Sequence, residues 1–208
     1  MWYPILLTAL TAYLLGNLNG AVCMSTLLEK DDVRNHGSGN AGLTNFLRSY
    51  GGWKTLLVVL IDMGKTVVSC LAGRYMFEGL GYGLEGAMLA AVAVSLGHDF
   101  PALLGFRGGK GILCGFAVAL VLDWRIALIL LSVFAVTLAL SRYVSLSSVL
   151  AAAGFCVAFC VFHWDRPWVA AGGVFLGLLA IVMHRPNIVR LCNGTENKFS
   201  IRKKEKNV

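Results

Sequence analysis

The chain has 208 residues, of which 57% are hydrophobic and 14% are charged, and its formal net charge is +7. With a mean hydropathy of +0.71, this composition lies outside the range of a soluble domain of this length. It predicts a polytopic membrane protein. The first apolar run is too long for the hydrophobic region of a signal peptide, and no basic segment precedes it. We therefore expect it to remain as the first span.

Six cysteines occur, but their placement does not indicate a disulfide framework. No C-x-x-C pair is present, and all but one of the six lie in or beside apolar runs. We interpret them as small buried or lipid-facing thiols rather than metal or redox groups. They are Cys23, Cys70, Cys114, Cys156 and Cys160, with Cys192 in a polar segment.

Seven apolar segments of spanning or near-spanning length follow one another along the chain. They predict an all-α fold with about seven transmembrane helices. The fourth is too short to cross a hydrocarbon core of about 30 Å comfortably. A five-span arrangement with re-entrant pieces is the alternative. The segments run from 2 to 26, 53 to 77, 84 to 105, 112 to 122, 125 to 141, 146 to 163 and 167 to 184.

Basic residues are divided unequally between the two sides that seven spans define. Fourteen of the 18 Lys and Arg residues fall on one side and three on the other, with Lys65 inside a span. Positive residues favour the cytoplasmic side, so we expect the N-terminus outside and the C-terminus in the cytoplasm. The fourteen are Lys30, Arg34, Arg48, Lys54, Arg107, Lys110, Arg142, Arg185, Arg190, Lys198, Arg202, Lys203, Lys204 and Lys206; the three are Arg74, Arg125 and Arg166.

The first motif, RNHGSGNAGLTNFLRSYGG, runs from Arg34 to Gly52 in the first loop between spans. Short hydrogen-bonding side chains stand among its glycines, and Arg48 lies one helical turn beyond Thr44. Such a loop favours binding of a polyol phosphate. The alternative is a polar connector whose Ser and Asn side chains only cap helices.

The second apolar segment contains Asp62 and Lys65, which are three positions apart and therefore on one helical face. Charged residues inside a membrane usually pair or line a polar cavity. We interpret this pair as structural, orienting the span beneath the site. Arg142, before a run of serines, is expected to meet lipid headgroups or an anionic ligand.

The second motif, GHDFPALLGFRGGKG, runs from Gly97 to Gly111 between two apolar segments. His98, an arginine, Lys110 and five glycines can aim cationic side chains and bare backbone N–H groups at one point, which predicts an anion site. It is not a P-loop, because Gly111 stands where that motif needs a hydroxyl for Mg²⁺. The alternative is a simple interhelical turn carrying positive charge.

The third motif, HRPNIVRLCNGTENKF, runs from His184 to Phe199, where the last apolar segment ends. His184, Asn187 and Arg190 are spaced three apart, which predicts one side of a short helix, and Glu196 can reach back to a basic partner. The lysine-rich end is expected to be drawn to anionic lipid. We thus expect one integral membrane domain, residues 1–198, and a basic cytoplasmic tail, 199–208.

Three stretches, GSGNAGLTNFLR, LGHDFPALLGFRGGKG and HRPNIVRLCNGTE, resemble the signature motifs of the bacterial acyl-phosphate:glycerol-3-phosphate acyltransferases, the PlsY family. YLLGNLNG in the first span, the Asp62–Lys65 pair and RYVSLSS agree with this resemblance, which covers nearly the whole chain. The chain departs from the family pattern at Asn17, Asn19, Leu43 and Thr66. These departures affect the expected substrate fit and helix packing more than the expected reaction.

The resemblance implies a seven-helix enzyme of the bacterial cytoplasmic membrane with its active site facing the cytoplasm. It would move an acyl group from acyl phosphate to the 1-hydroxyl of sn-glycerol 3-phosphate, giving lysophosphatidic acid and phosphate. The two substrates and the lipid bilayer are the expected partners. We expect a monomer that needs no cofactor and no metal and binds no nucleic acid.

The same resemblance assigns roles to individual positions. Ser38, Asn45 and Arg48 would bind glycerol 3-phosphate, and Lys110, His184 and Asn187 would bind phosphate groups. The general base, His184 or the substrate's own phosphate, stays open. The catalytic set is Ser38, Arg48, Lys110 and His184; the substrate-binding set is Gly39, Asn40, Thr44, Asn45, Gly97, His98, Gly108, Gly109, Gly111, Arg142, Asn187, Arg190 and Glu196.

Two other functions compete with this interpretation. The second large group of glycerolipid acyltransferases uses a histidine and an aspartate separated by four residues, and none of the four histidines here is followed by such an aspartate. A transporter of an anionic metabolite, or a non-catalytic paralogue, is the remaining alternative. Against a transporter, we find no convincing internal repeat, and all three motifs are expected on one side of the membrane.

Overall fold

The computed structural model describes residues 2–199, which form a helical bundle without β-strands. The predicted all-α class is therefore confirmed. Short 3-10 turns, Val33–Asn35 and Ala102–Leu104, interrupt two of the connections. The helices are α1 (Trp2–Gly16), α2 (Gly20–Met24), α3 (Leu43–Ser49), α4 (Lys54–Glu78), α5 (Gly83–Asp99), α6 (Ile112–Leu122), α7 (Trp124–Ser141), α8 (Val144–Phe162), α9 (Pro167–Met183) and α10 (Arg185–Cys192).

Each of the seven predicted apolar segments is helical. Within the described residues, five helical stretches are long and apolar enough to cross a membrane. A sixth is formed by α9 and α10 if that pair, bent by 54°, counts as one span. The number of crossings stays a prediction, because α6, an apolar helix of 11 residues, is shorter than the helices long enough to cross a membrane. Of the predicted tail, residues 200–208 lie outside the described part of the chain, and Phe199 donates its N–H to the Arg142 carbonyl.

The short helix α6 sets the depth of the second motif in the bundle. It has 11 residues, against 18 in α7, and the two helices meet at Asp123. At 1.5 Å per residue, α6 rises about 16 Å and α7 about 27 Å from that shared end. The start of α6, with Gly111 and Lys110 before it, is therefore recessed by about 10 Å relative to the far end of α7.

Helix α5 occupies the middle of the bundle because small residues let two neighbours approach it closely. A Cβ added at Gly97 would lie 2.2 Å from the Tyr13 carbonyl oxygen of α1, and one at Gly73 of α4 would lie 2.4 Å from the Gly86 carbonyl oxygen. Close backbone approach through small residues is typical of membrane helix packing. This geometry accounts for glycine at position 97 through packing.

The first span is broken, which the sequence did not predict. Helix α1 ends at Gly16 and α2 begins at Gly20, with Asn19 as its N-cap. Lys65 Nζ donates to the free carbonyls of the break, at 3.1 Å from Gly16 O and 2.6 Å from Leu18 O. An unwound segment within the bilayer needs such internal partners.

The predicted intramembrane charge pair forms at the same break. Lys65 Nζ lies 2.9 Å from Asp62 Oδ1, and both side chains are 2% exposed. Asp62 Oδ1 also accepts the N–H of Gly20 at 3.0 Å, at the start of α2. Both charges therefore satisfy backbone groups of the first span.

Exposed aromatic side chains mark the end of the bundle opposite the three motifs. Trp124 begins α7, Trp164 follows the end of α8 and Trp168 lies in the first turn of α9. All three are more than 60% exposed, as is Tyr75 in the last turn of α4. Trp and Tyr concentrate at membrane interfaces. These residues are thus placed to sit at one membrane surface.

Candidate active site

A cavity of about 350 Å³ opens at the motif end of the bundle. All three motifs contribute to its wall, together with α6, α7, α8 and α9. The part nearest the loops is polar and charged, and the deeper part is apolar. The polar lining includes Ser38, Asn40, Thr44, Asn45, Arg48, Asp99, Lys110, His184, Asn187 and Glu196; the apolar lining includes Phe116, Leu130, Leu131, Phe134, Phe155 and Leu176.

The first motif is held in shape by the side chain of Asn45. Its amide nitrogen donates to the carbonyls of Val33, His36 and Asn40 at 3.0 Å each, and its oxygen accepts the N–H of Ser38 at 3.0 Å. Asn45 as a whole is 3% exposed. Although Asn45 lines the cavity, its hydrogen-bonding groups are already used within the loop. Asn45 therefore holds Ser38 at the cavity wall, and its own amide is not free to bind a ligand.

Arg48 follows on α3, a single turn beyond Thr44 as expected. Arg48 lines the cavity and is exposed. Among residues 2–199 no ion pair or hydrogen bond engages the guanidinium, so its five donors are available to a ligand. Arg48 is therefore the cation of the first motif that can meet an anion in the cavity.

The glycines of the second motif serve close packing against the end of α5. The N–H of Gly108 donates to Asp99 O and that of Gly109 to His98 O, at 3.2 and 3.0 Å. A Cβ at Gly109 would lie 2.1 Å from His98 Nε2. These two N–H groups are consequently not the bare donors that the sequence suggested.

Backbone donors are instead found at the start of α6. Gly111 is the N-cap of this helix, with φ of +71°, a left-handed conformation that favours glycine. Gly111 and Ile112 line the cavity. The first N–H groups of a helix have no intrahelical acceptor and carry partial positive charge. The first turn of α6 thus adds to the positive field of Lys110.

Lys110 is linked to the third motif through Asn187. Its ammonium donates to Asn187 Oδ1, and Asn187 Nδ2 donates to Glu196 Oε1 at 2.9 Å. Arg190 Nε donates to the other oxygen of Glu196, Oε2, at 2.6 Å. Arg190 does not line the cavity. It holds Glu196, which in turn orients Asn187 towards Lys110.

These surroundings shift two pKa values. Burial, reinforced by the positive charges of Arg190 and Arg48, lowers the pKa of Lys110 to about 8, although Glu196 opposes the shift. Burial raises the pKa of Glu196, but the hydrogen bonds from Asn187 and Arg190 outweigh it and leave that pKa below its usual value. An anion bound beside Lys110 would restore its proton affinity.

His184 stands at the bend between α9 and α10. Its Nδ1 lies 2.8 Å from the carbonyl oxygen of Ala180. A carbonyl can only accept, so Nδ1 carries a proton and Nε2 is left as the acceptor of the neutral ring. His184 lines the cavity, so its Nε2 can receive a proton there.

Six of the predicted contact residues do not line the cavity. Arg142 is the left-handed C-cap of α7, with φ of +60°, and its carbonyl accepts the N–H of Phe199. Gly97, Gly108 and Gly109 serve packing, and Arg190 acts through Glu196, as described above. Gly39 lies in the turn of the first motif. The six are Gly39, Gly97, Gly108, Gly109, Arg142 and Arg190.

Four polar residues of the cavity were missed by the sequence reasoning. Ser95 and Asp99 lie one turn apart on α5, and Ser145 and Ser148 are three apart at the start of α8. Helical spacing of polar residues inside an apolar segment was the available signal.

The helix bundle is that of an integral membrane protein, with a cavity that is cationic near the loops and apolar further in. The model of the glycerol-3-phosphate acyltransferase family matches residues 6–194. The chain belongs to this family, as the resemblance of its three motifs predicted.

Curated relatives share this match over nearly their whole length. The chain is 39% identical to the glycerol-3-phosphate acyltransferase of Thermoanaerobacter pseudethanolicus over 193 residues, covering 93% of this chain and 94% of that protein. It is 36% identical to that of Clostridioides difficile over 202 residues, covering 97% and 98%.

Two solved structures have the same fold. Both are crystal structures of PlsY, an integral membrane glycerol 3-phosphate acyltransferase. The glycerol 3-phosphate form superposes with a TM-score of 0.82 at 32% identity, covering 94% of this chain and 96% of that one. The lysophosphatidic acid form gives 0.80 at 30% identity, covering 94% and 95%.

Proposed function

We propose that the protein transfers an acyl group from acyl phosphate to the 1-hydroxyl of sn-glycerol 3-phosphate, releasing phosphate and lysophosphatidic acid. The observation that carries this proposal is the single cavity in which Arg48, Lys110 and His184 meet an apolar groove. Two phosphate groups need two cationic positions, and the acyl chain needs an apolar wall. The glycerol 3-phosphate and lysophosphatidic acid forms of PlsY support this choice of ligands.

The reaction mainly requires that the two substrates be positioned and that the charge on their phosphate groups be neutralised. The hydroxyl oxygen attacks the acyl carbonyl carbon, the carbon–oxygen bond to phosphate breaks, and phosphate leaves with the bonding electron pair. Lys110, held by Asn187 beside the start of α6, is placed to neutralise the charge that grows on this phosphate. Arg48 and Ser38 on the opposite loop are placed to hold the acceptor's phosphate, which fixes the hydroxyl near the carbonyl.

The hydroxyl proton must pass to a base during the attack. His184 Nε2 is one candidate, because Nδ1 is committed to the Ala180 carbonyl. The acceptor's own phosphate is the other, since it is held in the same cavity. A His184→Gln variant separates them: the amide can still orient a hydroxyl but cannot take a proton at neutral pH. A loss of several hundredfold in kcat supports the histidine, and a loss below tenfold supports the phosphate.

We place the motif end of the bundle, and so the active site, on the cytoplasmic side of the bacterial cell membrane. The N-terminus is then outside and the C-terminus inside. The unequal division of basic residues supports this orientation. The exposed Trp residues at the opposite end mark where the bundle would meet the outer membrane–water interface. We further propose that the protein works as a monomer without cofactor or metal.

The proposed function is tested by phosphate release from palmitoyl phosphate by the purified protein in lipid. Release should depend on glycerol 3-phosphate, and lysophosphatidic acid should appear in equal amount. Palmitoyl-CoA in place of palmitoyl phosphate controls for the donor. Arg125→Ala, at the far end of α7, controls for general effects of losing a cation. Acceptor-independent release, or equal use of both donors, would contradict the proposal.

A further inference from the structure

Asp99 is a buried carboxylate of the cavity that the reaction described above does not use. It is the last residue of α5, is 1% exposed and lines the cavity. Its Oδ1 has no hydrogen-bond partner within residues 2–199. The unpartnered hydroxyl of Ser95 lies one turn earlier on the same helix and on the same cavity wall.

The carboxylate lies beside the residues that handle phosphate. A Cβ added at Gly111 would be 3.2 and 3.4 Å from its two oxygens, and Gly111 directly follows Lys110. Asp62, the neighbouring acid of the cavity, has its oxygen engaged by Lys65 and by the N–H of Gly20. Asp99 therefore differs from Asp62 in lacking a partner supplied by the protein.

An ionised carboxylate can only accept hydrogen bonds, and leaving it unpartnered in a buried site is costly. A phosphate group would be repelled by it, because both are negative. Acyl phosphate offers no hydroxyl, whereas glycerol 3-phosphate offers two. On the basis of the proposed function, the donor that Asp99 lacks is therefore a hydroxyl of the acceptor.

The two hydroxyls of the acceptor differ in what happens to them. The 1-hydroxyl gives up its proton during the attack, to one of the two bases named above, and so cannot remain a donor to a carboxylate through the reaction. The 2-hydroxyl keeps its proton throughout. We propose that Asp99 accepts a hydrogen bond from the 2-hydroxyl of glycerol 3-phosphate and so selects the acceptor.

The test compares two acceptors in the wild-type protein and in Asp99→Asn. 3-Hydroxypropyl phosphate keeps the phosphate and the reacting hydroxyl but lacks the 2-hydroxyl. The wild type should prefer glycerol 3-phosphate in kcat/KM by about 10- to 100-fold, as a charged buried hydrogen bond allows. In Asp99→Asn this preference should shrink to a few-fold, through loss with glycerol 3-phosphate alone. Asp99→Ala is a second variant with the same expectation.

The preference is a ratio within one preparation, so it does not depend on how much of a variant folds. Asp123→Asn removes a buried carboxylate at the far end of the bundle and should leave the preference unchanged. An unchanged preference in both Asp99 variants, or an equal loss with both acceptors, would overturn the proposal. A wild-type protein that acylates neither acceptor would instead refute the proposed function itself.

Discussion

Lys65 Nζ lies 2.9 Å from His98 Nδ1, so the charge at the break of the first span contacts the histidine on which the second motif rests. The same nitrogen lies 3.5 Å from Asp62 Oδ1, so His98 contacts both members of the intramembrane charge pair. The opposite nitrogen, Nε2, lies against Gly109. The broken first span and the loop that carries Lys110 are thus positioned by one buried polar network, Asp62–Lys65–His98.

This network predicts a large loss of stability on removal of one charge. Lys65→Met would leave Asp62 buried without its cation and two carbonyls of the break without a donor. We expect a loss of about 3 to 5 kcal/mol in the free energy of unfolding. The matched control is Arg166→Gln, which breaks the more exposed pair with Glu85 and should cost about 1 kcal/mol or less. Denaturation in detergent measures both, and equal losses would contradict the role of the network.

Sequence patterns located the helices and the residue types of the site, because hydrophobic runs and polar clusters are local features. They did not show which polar side chains are already used. Asn45 looks like a ligand group in the sequence, yet its amide binds four backbone groups of its own loop. Asn19, a departure from the family pattern, donates to the Ala41 carbonyl at 2.9 Å and fixes the same loop from the first span.

The sequence also did not show whether a glycine serves ligand binding or helix packing. Gly97 is consistent with ligand binding in the sequence, and only the approach of α1 shows that packing requires it. The short fourth segment was recognised in the sequence, but its place beside the cavity was not. A contact between segments far apart in sequence, α1 against α5, decided the role of Gly97.

Lys110→Ala should lower kcat by about 10²- to 10³-fold, the usual loss when one preorganised charge contact to the transition state is removed. In the proposed reaction, the ammonium fixed by Asn187 would interact more strongly with the leaving phosphate as charge moves onto it. The KM for glycerol 3-phosphate should change little. Lys54→Ala is the control, because Lys54 pairs with Glu29 and does not line the cavity. A near-normal kcat in Lys110→Ala would contradict the role of Lys110 in stabilising the transition state.

The lowered pKa of Lys110 predicts an alkaline limit to activity. The charged form exists below its pKa of about 8 and is lost above it, so kcat/KM should fall as the pH rises through this value. Bound phosphate raises that pKa, so kcat should fall only at higher pH. In Lys110→Arg the guanidinium stays charged, and the alkaline fall should disappear even if the rate is lower. If kcat/KM of Lys110→Arg still fell at the same pH, the alkaline limit would belong to a group other than Lys110.

The proposed orientation predicts that all three motifs are inaccessible from outside the cell. In a background without native cysteines, Ser38→Cys, Arg107→Cys and Asn193→Cys should resist an impermeant maleimide until the cells are opened. All three positions are exposed. Position 107 is preferable to 108, where a Cβ would lie 2.0 Å from the His98 carbonyl oxygen. Asp165→Cys, at the opposite end, should react in intact cells; the reverse pattern would invert the topology.

Arg48 should act on acceptor binding rather than on the chemical step. In the proposed reaction the acceptor's phosphate keeps its charge while the acyl group moves, so a contact to it would stabilise the bound substrate and the transition state equally. Arg48→Ala should therefore raise the KM for glycerol 3-phosphate with little change in kcat, the signature of uniform binding. Arg48→Lys should recover little of this binding if the free guanidinium grips phosphate through two parallel hydrogen bonds, which an ammonium cannot reproduce.

Steady-state kinetics in lipid, with each substrate varied in turn, separates the two cationic positions. The KM for acyl phosphate should stay near the wild-type value in both Arg48 variants, because Lys110 and the start of α6 remain intact. Arg107→Lys is the matched control, since Arg107 lies on the neighbouring loop but does not line the cavity. The assignment is wrong if Arg48→Lys leaves the acceptor KM unchanged, or if it lowers kcat as strongly as Lys110→Ala does.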